Sequence, residues 1–246
     1  MNILKSVEVK TEQKFAIGLG LRVKQPLRAS LALLRPKQWV KNSFVFAGLI
    51  FSQNILDPQH FLLTFWAFIS FCLLSSSVYI INDLSDIEED KLRPQKKNRP
   101  LPSGRITSAR SIMLLTVMLA SSLLLAWNLG NLFFSVALIY FLLIVGDTFL
   151  SKHIVLLDIF TISAGFILRV VAGTLVISVI ISPWLLICTL LLSLFLALIK
   201  RRAEIVSLEN CKVDHRKVLK DYSIKFVDQL ISVITTATST EKWSML

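Results

Sequence analysis

Charge is missing from long stretches of this sequence. Phe61–Ile81 runs for 21 residues without an acidic or basic side chain, and Val170–Ile199 is likewise uncharged. Soluble domains break their apolar residues into short periodic patches, so an absence on this scale excludes an ordinary soluble chain. A run of about 20 apolar residues instead matches a hydrocarbon core roughly 30 Å thick at about 1.5 Å per residue. Lipid offers the backbone no hydrogen-bond partner, so the helix is the expected spanning form. Cysteine is scarce as well. Cys72 and Cys188 fall in apolar runs and Cys211 in a polar stretch, a pattern that supplies neither a disulfide framework nor a metal site. The residues before Arg35 lack the apolar centre of a signal peptide and read as a cytoplasmic arm. No internal repeat is visible.

What is present is 54% hydrophobic, with a mean hydropathy of +0.66. Six spans can be read, at about 43–57, 61–83, 109–127, 131–150, 154–178 and 183–200, the first short and starting nearer Arg35. A seventh apolar stretch, Phe226–Ala237, precedes a short tail. The expected fold is an all-α polytopic transmembrane bundle with six to seven spans present. Its expected parts are an N-terminal arm at 1–34, the bundle at 35–237 and a tail at 238–246.

The net charge of +11 is placed by topology. Of 27 Lys and Arg residues, nine lie in 1–41, six in 84–105 and eight in 200–225, whereas the loops Ser52–His60, Trp127–Asn131 and Ser178–Pro183 hold none. Alternation of this kind is the positive-inside pattern, with the N-terminus cytoplasmic. Nucleic acid is excluded as a partner, since a basic stripe needs a soluble face to sit on; the partner is the membrane.

The most informative stretch is Tyr79-Ile-Ile-Asn82-Asp83-Leu-Ser-Asp86-Ile-Glu-Glu-Asp90, at the end of the second span. At about 100° per residue, Asp83, Asp86 and Asp90 fall within roughly 60° of one another, flanked by Asn82. Like charges at these spacings repel, and a divalent cation removes that cost. Magnesium prefers a few carboxylates together with phosphate oxygens and water, and ionisable groups at the membrane end of a span are functional suspects. Glu88 and Glu89 lie off the stripe. The blander alternative is a solvated acidic turn paired with the bases of the loop 91–104, which three prolines and Gly104 define. From that loop, Arg99 and Lys97 are candidate phosphate contacts.

The Asn-Asp-x-x-Asp-x-x-x-Asp box followed by Arg99-Pro-Leu-Pro-Ser-Gly104 resembles the UbiA prenyltransferase superfamily. Leu34-Arg35-Pro36-Lys37-Gln38-Trp39-Val40-Lys41-Asn42 at the first span, Ser151–Asp158 leading into the fifth, Leu168–Gly173 within it and Lys200-Arg-Arg-Ala-Glu204 closing the sixth extend the likeness. The combination, over about residues 31–237, is similar to the decaprenyl-phosphate phosphoribosyltransferase branch.

The resemblance implies transfer of a 5-phosphoribosyl group from phosphoribosyl pyrophosphate to a polyprenyl phosphate, with magnesium-assisted release of diphosphate. Asp83, Asp86 and Asp90 would hold the metal. Lys200 and Glu204, one turn apart, would complete the catalytic set, the first on phosphate and the second orienting it or helping the metal. Lys41, Asn42, Asn82, Arg99, Lys152, Asp158, Arg169 and Arg201 are the implied substrate contacts. Aromatic prenyltransferases of the superfamily carry a second aspartate box where this chain has Lys200–Glu204, so use of a prenyl diphosphate is the alternative. A non-catalytic membrane protein or inactive paralogue is a third reading. Two departures bear on it. Asp147-Thr148 stands where the branch has Tyr-Ser, and the family bundle has nine spans whereas this chain stops in its seventh, an expectation of C-terminal truncation.

In the fifth span, Asp158, Thr161, Gly165, Arg169 and Ala172 share one face, which must therefore point into the bundle. Asp158 and Arg169 are about 16 Å apart along the axis, too far to pair with each other. Each needs a partner on another helix or a place in the active cavity.

Overall fold

The computed structural model describes residues 24–93, 96–150, 155–209 and 228–236. Those residues form α1 (Lys24–Leu34), a 3₁₀ segment (Pro36–Phe46), α2 (Ala47–Phe51), α3 (Pro58–Ser85), α4 (Ile87–Leu92), α5 (Ser108–Asn128), α6 (Asn131–Leu150), α7 (Val155–Val176) and α8 (Pro183–Glu209). Residues 228–236 are helical as well and are called α9. Among the described residues there is no strand, in keeping with the all-α expectation.

Among the described residues, five helices are long and apolar enough to cross a membrane: α3, α5, α6, α7 and α8. They coincide with the second to sixth expected spans. Where a continuous first span was expected, the chain instead forms the 3₁₀ segment and the five-residue α2, and Gln53 then turns it at φ 59°. The 3₁₀ form rises about 2 Å per residue, so this stretch gains length without the residue count of an α-helical span.

Local chemistry sets the helix ends. Asp57 caps α3 by accepting the N–H groups of Gln59 (2.8 Å) and His60 (3.3 Å) on Oδ1, and Pro58 occupies the first helical position. Gly130, at φ 119°, turns the chain between α5 and α6. At the other end of α3 the helix is interrupted at Asp86 (φ −103°, ψ 10°), and α4 starts at the next residue.

The chain packs as two compact units. In the first, which comprises residues 24–39 and 75–120, Ala29 and Leu33 of α1 bury against Ile80 of α3 and against Leu101 and Ile106 of the following loop. In the second, with the described residues of 40–74 and 121–236, Ile159 of α7 meets Ala197 and Leu198 of α8, with Leu230, Ile231 and Ile234 of α9 against them. There Ser70 of α3 and Ser122 of α5 each donate a hydroxyl to the other's carbonyl, at 3.2 and 2.9 Å. The backbone of the 3₁₀ segment lies so close to α7 that a Cβ on Gly173 would sit 2.8 Å from the carbonyl carbon of Val45. Small residues permit such approaches between membrane helices.

Candidate functional site

The acidic motif lies within the first unit. Asp83, in the last turn of α3, and Asp90, in α4, are both buried, Asp90 completely. They converge on one cationic atom. Arg99 Nη1 donates to Asp83 Oδ1 at 3.1 Å and to Asp90 Oδ2 at 2.7 Å. Arg35 pairs with Asp83 through Nη2, and Lys96 Nζ lies 3.2 Å from Asp90 Oδ1. Burial holds the Lys96 amine below its ordinary range, with the attraction of Asp90 opposing that shift.

The surrounding fold delivers these cations. The loop carrying Lys96 and Arg99 is anchored by Leu101 and Ile106 in the core of this unit and braced by Arg105, which donates to the carbonyl of Asn98 and to Ser103 Oγ. Arg35 adopts φ +51° at the junction of α1 and the 3₁₀ segment, a conformation that costs a residue with a Cβ about 1 kcal/mol. Its guanidinium lies 5.1 Å from the Tyr79 ring centroid as well as on Asp83. Such strain persists where surrounding contacts over-determine it. Alongside, Trp39 Nε1 donates to Ser76 Oγ, which donates to the carbonyl of Leu34, each at 3.0 Å.

Of the three carboxylates expected on one stripe, the structure brings Asp83 and Asp90 together on Arg99. Asp86 sits at the interruption between α3 and α4, half-buried, where Ser85 donates to its Oδ1 at 3.1 Å. Asn82 is half-buried beside it. Among the described residues no three His, Cys, Asp or Glu side chains converge as a ready-made metal cage. Glu88 and Glu89, set aside from the stripe, form exposed pairs with Lys91 (2.7 Å) and Arg93 (3.0 Å). Lys97 is exposed, and it is its neighbour Lys96 that reaches Asp90.

Magnesium suits the donor set here. Two carboxylates already arranged around a single positive atom are what this ion takes from a protein when phosphate oxygens and water supply the rest. Asp83 and Asp90 would hold it.

The remaining expected residues lie in the second unit or outside the described chain. Arg169 is buried in α7 and satisfied by neutral groups. It donates from Nε to Asn42 Oδ1 (2.8 Å), from Nη1 to the Gly165 carbonyl (2.8 Å) and from Nη2 to the Tyr140 hydroxyl (2.7 Å). The rings of Tyr140 and Phe166 lie 4.7 and 5.5 Å from its guanidinium carbon. Asn42 in turn donates to Cys72 Sγ at 3.3 Å. Asp158 forms an ion pair with Arg201 across α7 and α8. Arg202 pairs with Asp228 at 2.6 Å. Lys41 and Lys200 are exposed. Lys152 and the side chain of Glu204 lie outside the described residues.

Three participants were not singled out from sequence: Arg35, Lys96 and Tyr140. Arg35 lies in the motif Leu34–Asn42 and Lys96 in the basic loop 91–104, but neither pattern says which carboxylate each meets. Arg35 is 48 positions from Asp83, and Tyr140 sits in an apolar helix 29 positions from Arg169.

Comparison with known proteins gives a consistent result. Residues 42–218 match the model of the UbiA prenyltransferase family. An uncharacterized protein of Sinorhizobium fredii is 36% identical over 80% of this chain and 37% of its own length. A decaprenyl-phosphate phosphoribosyltransferase of Mycolicibacterium smegmatis is 31% identical over 83% of this chain and 65% of its own. The chain thus spans less than two thirds of either relative. A solved structure of a UbiA homologue from Archaeoglobus fulgidus, bound to GPP and Mg2+, aligns with a TM-score of 0.68 at 19% identity, over 85% of this chain and 75% of the other.

Proposed function

From membership of the UbiA prenyltransferase family, to which this multi-pass membrane chain belongs, we propose that it is a transferase moving a 5-phosphoribosyl group from phosphoribosyl pyrophosphate to a polyprenyl phosphate. The observation that carries the reading is the convergence of Asp83 and Asp90 on Arg99 Nη1, an arrangement able to grip a metal–diphosphate leaving group. The similarity to a decaprenyl-phosphate phosphoribosyltransferase supports the choice of donor and acceptor. So does the basic composition of 200–204, where an aromatic prenyltransferase would carry aspartates.

In this reaction the bond from the anomeric carbon to the diphosphate oxygen breaks and its electron pair leaves with diphosphate. An oxygen of the acceptor phosphate forms the new bond to that carbon. The acceptor is already an anion, so no strong general base is required. Magnesium, when bound, would neutralise charge on the departing diphosphate. Asp83 and Asp90 would hold that ion, with Asp86 as the third carboxylate of the motif and Asn82 beside it in sequence. Arg99, Lys96 and Arg35 place positive charge where the diphosphate leaves, which favours the transition state over the ground state. Lys41, Lys200 and Lys152 are assigned to phosphate, and Glu204 to orienting Lys200 or helping the metal, on residue chemistry. The placement of Lys and Arg supports a cytoplasmic N-terminus and a site at the cytoplasmic face.

The test is diphosphate release by purified protein supplied with phosphoribosyl pyrophosphate, magnesium and a polyprenyl phosphate. Release that depends on all three and is lost in Asp83→Ala supports the reading. No release above the Asp83→Ala control rejects it, and consumption of a prenyl diphosphate with an aromatic acceptor would move the chain to the other branch.

A further inference from the structure

The acidic pair is layered. Asp83 and Asp90 have side chains only 4% and 1% exposed, whereas Arg35, Lys96 and Arg99 are 26%, 30% and 31% exposed. The carboxylates lie inside and the cations outside, so an ion arriving from water meets the cations first. Arg99 Nη1 already stands between the two carboxylates. A metal held by both of them cannot share that place with the guanidinium, so one must give way.

We infer that Arg99 acts as a resident counter-ion that disfavours a bare divalent cation at Asp83 and Asp90, so that metal enters together with a phosphorylated ligand. This rests on the metal reading above. The charge balance gives the reason. Three cations, Arg35, Lys96 and Arg99, stand against the two carboxylates Asp83 and Asp90, and the exposed Glu88 and Glu89 are engaged with Lys91 and Arg93. The positive charges here already outnumber the negative ones, and a dication added alone makes the excess larger beside buried groups, where charge is poorly screened. A diphosphate reverses the balance. It brings three or so negative charges and offers the displaced guanidinium oxygens that match its planar fork.

Arg99 is the cation able to make that exchange. Arg35 is fixed by its left-handed backbone and by the Tyr79 ring. The loop bearing Arg99 is anchored through Leu101 and Ile106, so its half-exposed side chain can turn from carboxylate to phosphate while the backbone stays in place. In this scheme Arg99 is a positioning residue for the metal and a direct contact of the diphosphate.

The experiment is calorimetric titration of the full chain in detergent, with Mg2+ alone and then with inorganic diphosphate at saturating Mg2+. Arg99→Gln is expected to bind bare Mg2+ about ten-fold more tightly than the wild type and diphosphate about ten-fold more weakly. Arg99→Lys, which keeps the charge, is expected to stay within about three-fold of the wild type for the bare ion. Lys96→Gln should move bare-ion affinity in the same direction by about three-fold, which tests the idea should Arg99→Gln fail to fold. Unchanged or weaker Mg2+ binding in Arg99→Gln, or an equal rise in Arg99→Lys, overturns the inference alone. If Asp83→Asn and Asp90→Asn leave diphosphate-dependent Mg2+ uptake intact, the metal reading falls and this inference with it.

Discussion

The Nε–H of Arg169 donates to Oδ1 of Asn42 at 2.8 Å, joining two buried side chains 127 positions apart. A guanidinium inside a membrane bundle is expensive unless its donors are met, and here a side-chain amide, a carbonyl and a phenol meet them. Both residues had been expected to touch substrate; their mutual bond gives them a tertiary partner inside the second unit.

Replacing Arg169 by Leu strands the oxygens of Asn42 and Tyr140. The expected loss is about 2–4 kcal/mol of stability, since each buried group left unpaired carries a desolvation cost that membranes only partly moderate. Arg169→Lys should also destabilise, because one ammonium cannot reproduce the fork. Unfolding of the detergent-solubilised protein by a denaturing detergent measures both.

Gly173 and Gly104 should respond differently to alanine. A Cβ at Gly173 collides with the backbone of Val45, which has no side-chain freedom to move aside. Overpacking of that kind should cost about 2 kcal/mol or more. Gly104 has φ +71° and nothing within 4 Å of the added carbon, so Gly104→Ala bears only the left-handed conformation, about 1 kcal/mol. Thermal melting of the two variants should rank them in that order.

The Asp158–Arg201 pair predicts coupling. If the two residues serve each other, Asp158→Asn and Arg201→Gln should each destabilise, and the double substitution should cost less than their sum by about 1–3 kcal/mol. Two independent losses of activity with additive effects on stability would instead return both to the role of substrate contacts.

Asp57 gives a pH dependence at the opposite end of α3. Its carboxyl is held below the ordinary 3.8 chiefly by the N–H groups of Gln59 and His60, with burial opposing. The folded value is lower than the unfolded one, so the cap's contribution is complete above 3.8 and is lost as pH falls through the depressed value. Melting temperature followed from neutral to acid should therefore fall more steeply in the wild type than in Asp57→Asn, whose amide oxygen still caps but does not titrate.

Much of this molecule follows from one-dimensional pattern. The uncharged run at Phe61–Ile81 and its counterparts became α3 and its companions because lipid rewards only helices that close their own hydrogen bonds. The acidic motif was likewise legible, as aspartates at helical spacing at the end of a span, although the helix breaks at Asp86 and Asp83 and Asp90 meet across that break. The local form of the first expected span was not, because Pro36–Phe46 takes a 3₁₀ course followed by the short helix Ala47–Phe51, packed closely at Gly48 and Gly173, and packing of that kind has no signature in hydropathy.

The sequence by itself determined where apolar helices lie, where basic loops lie and that aspartates stand at the end of α3. Only the tertiary structure decided what surrounds them: Arg99 from a loop sixteen residues past Asp83, Arg35 from forty-eight residues before it. The reason is physical. Periodicity places residues of one helix on a common face, whereas a counter-ion arrives by way of a folded loop whose course is set by the burial of Leu101 and Ile106, and no spacing along the chain encodes that.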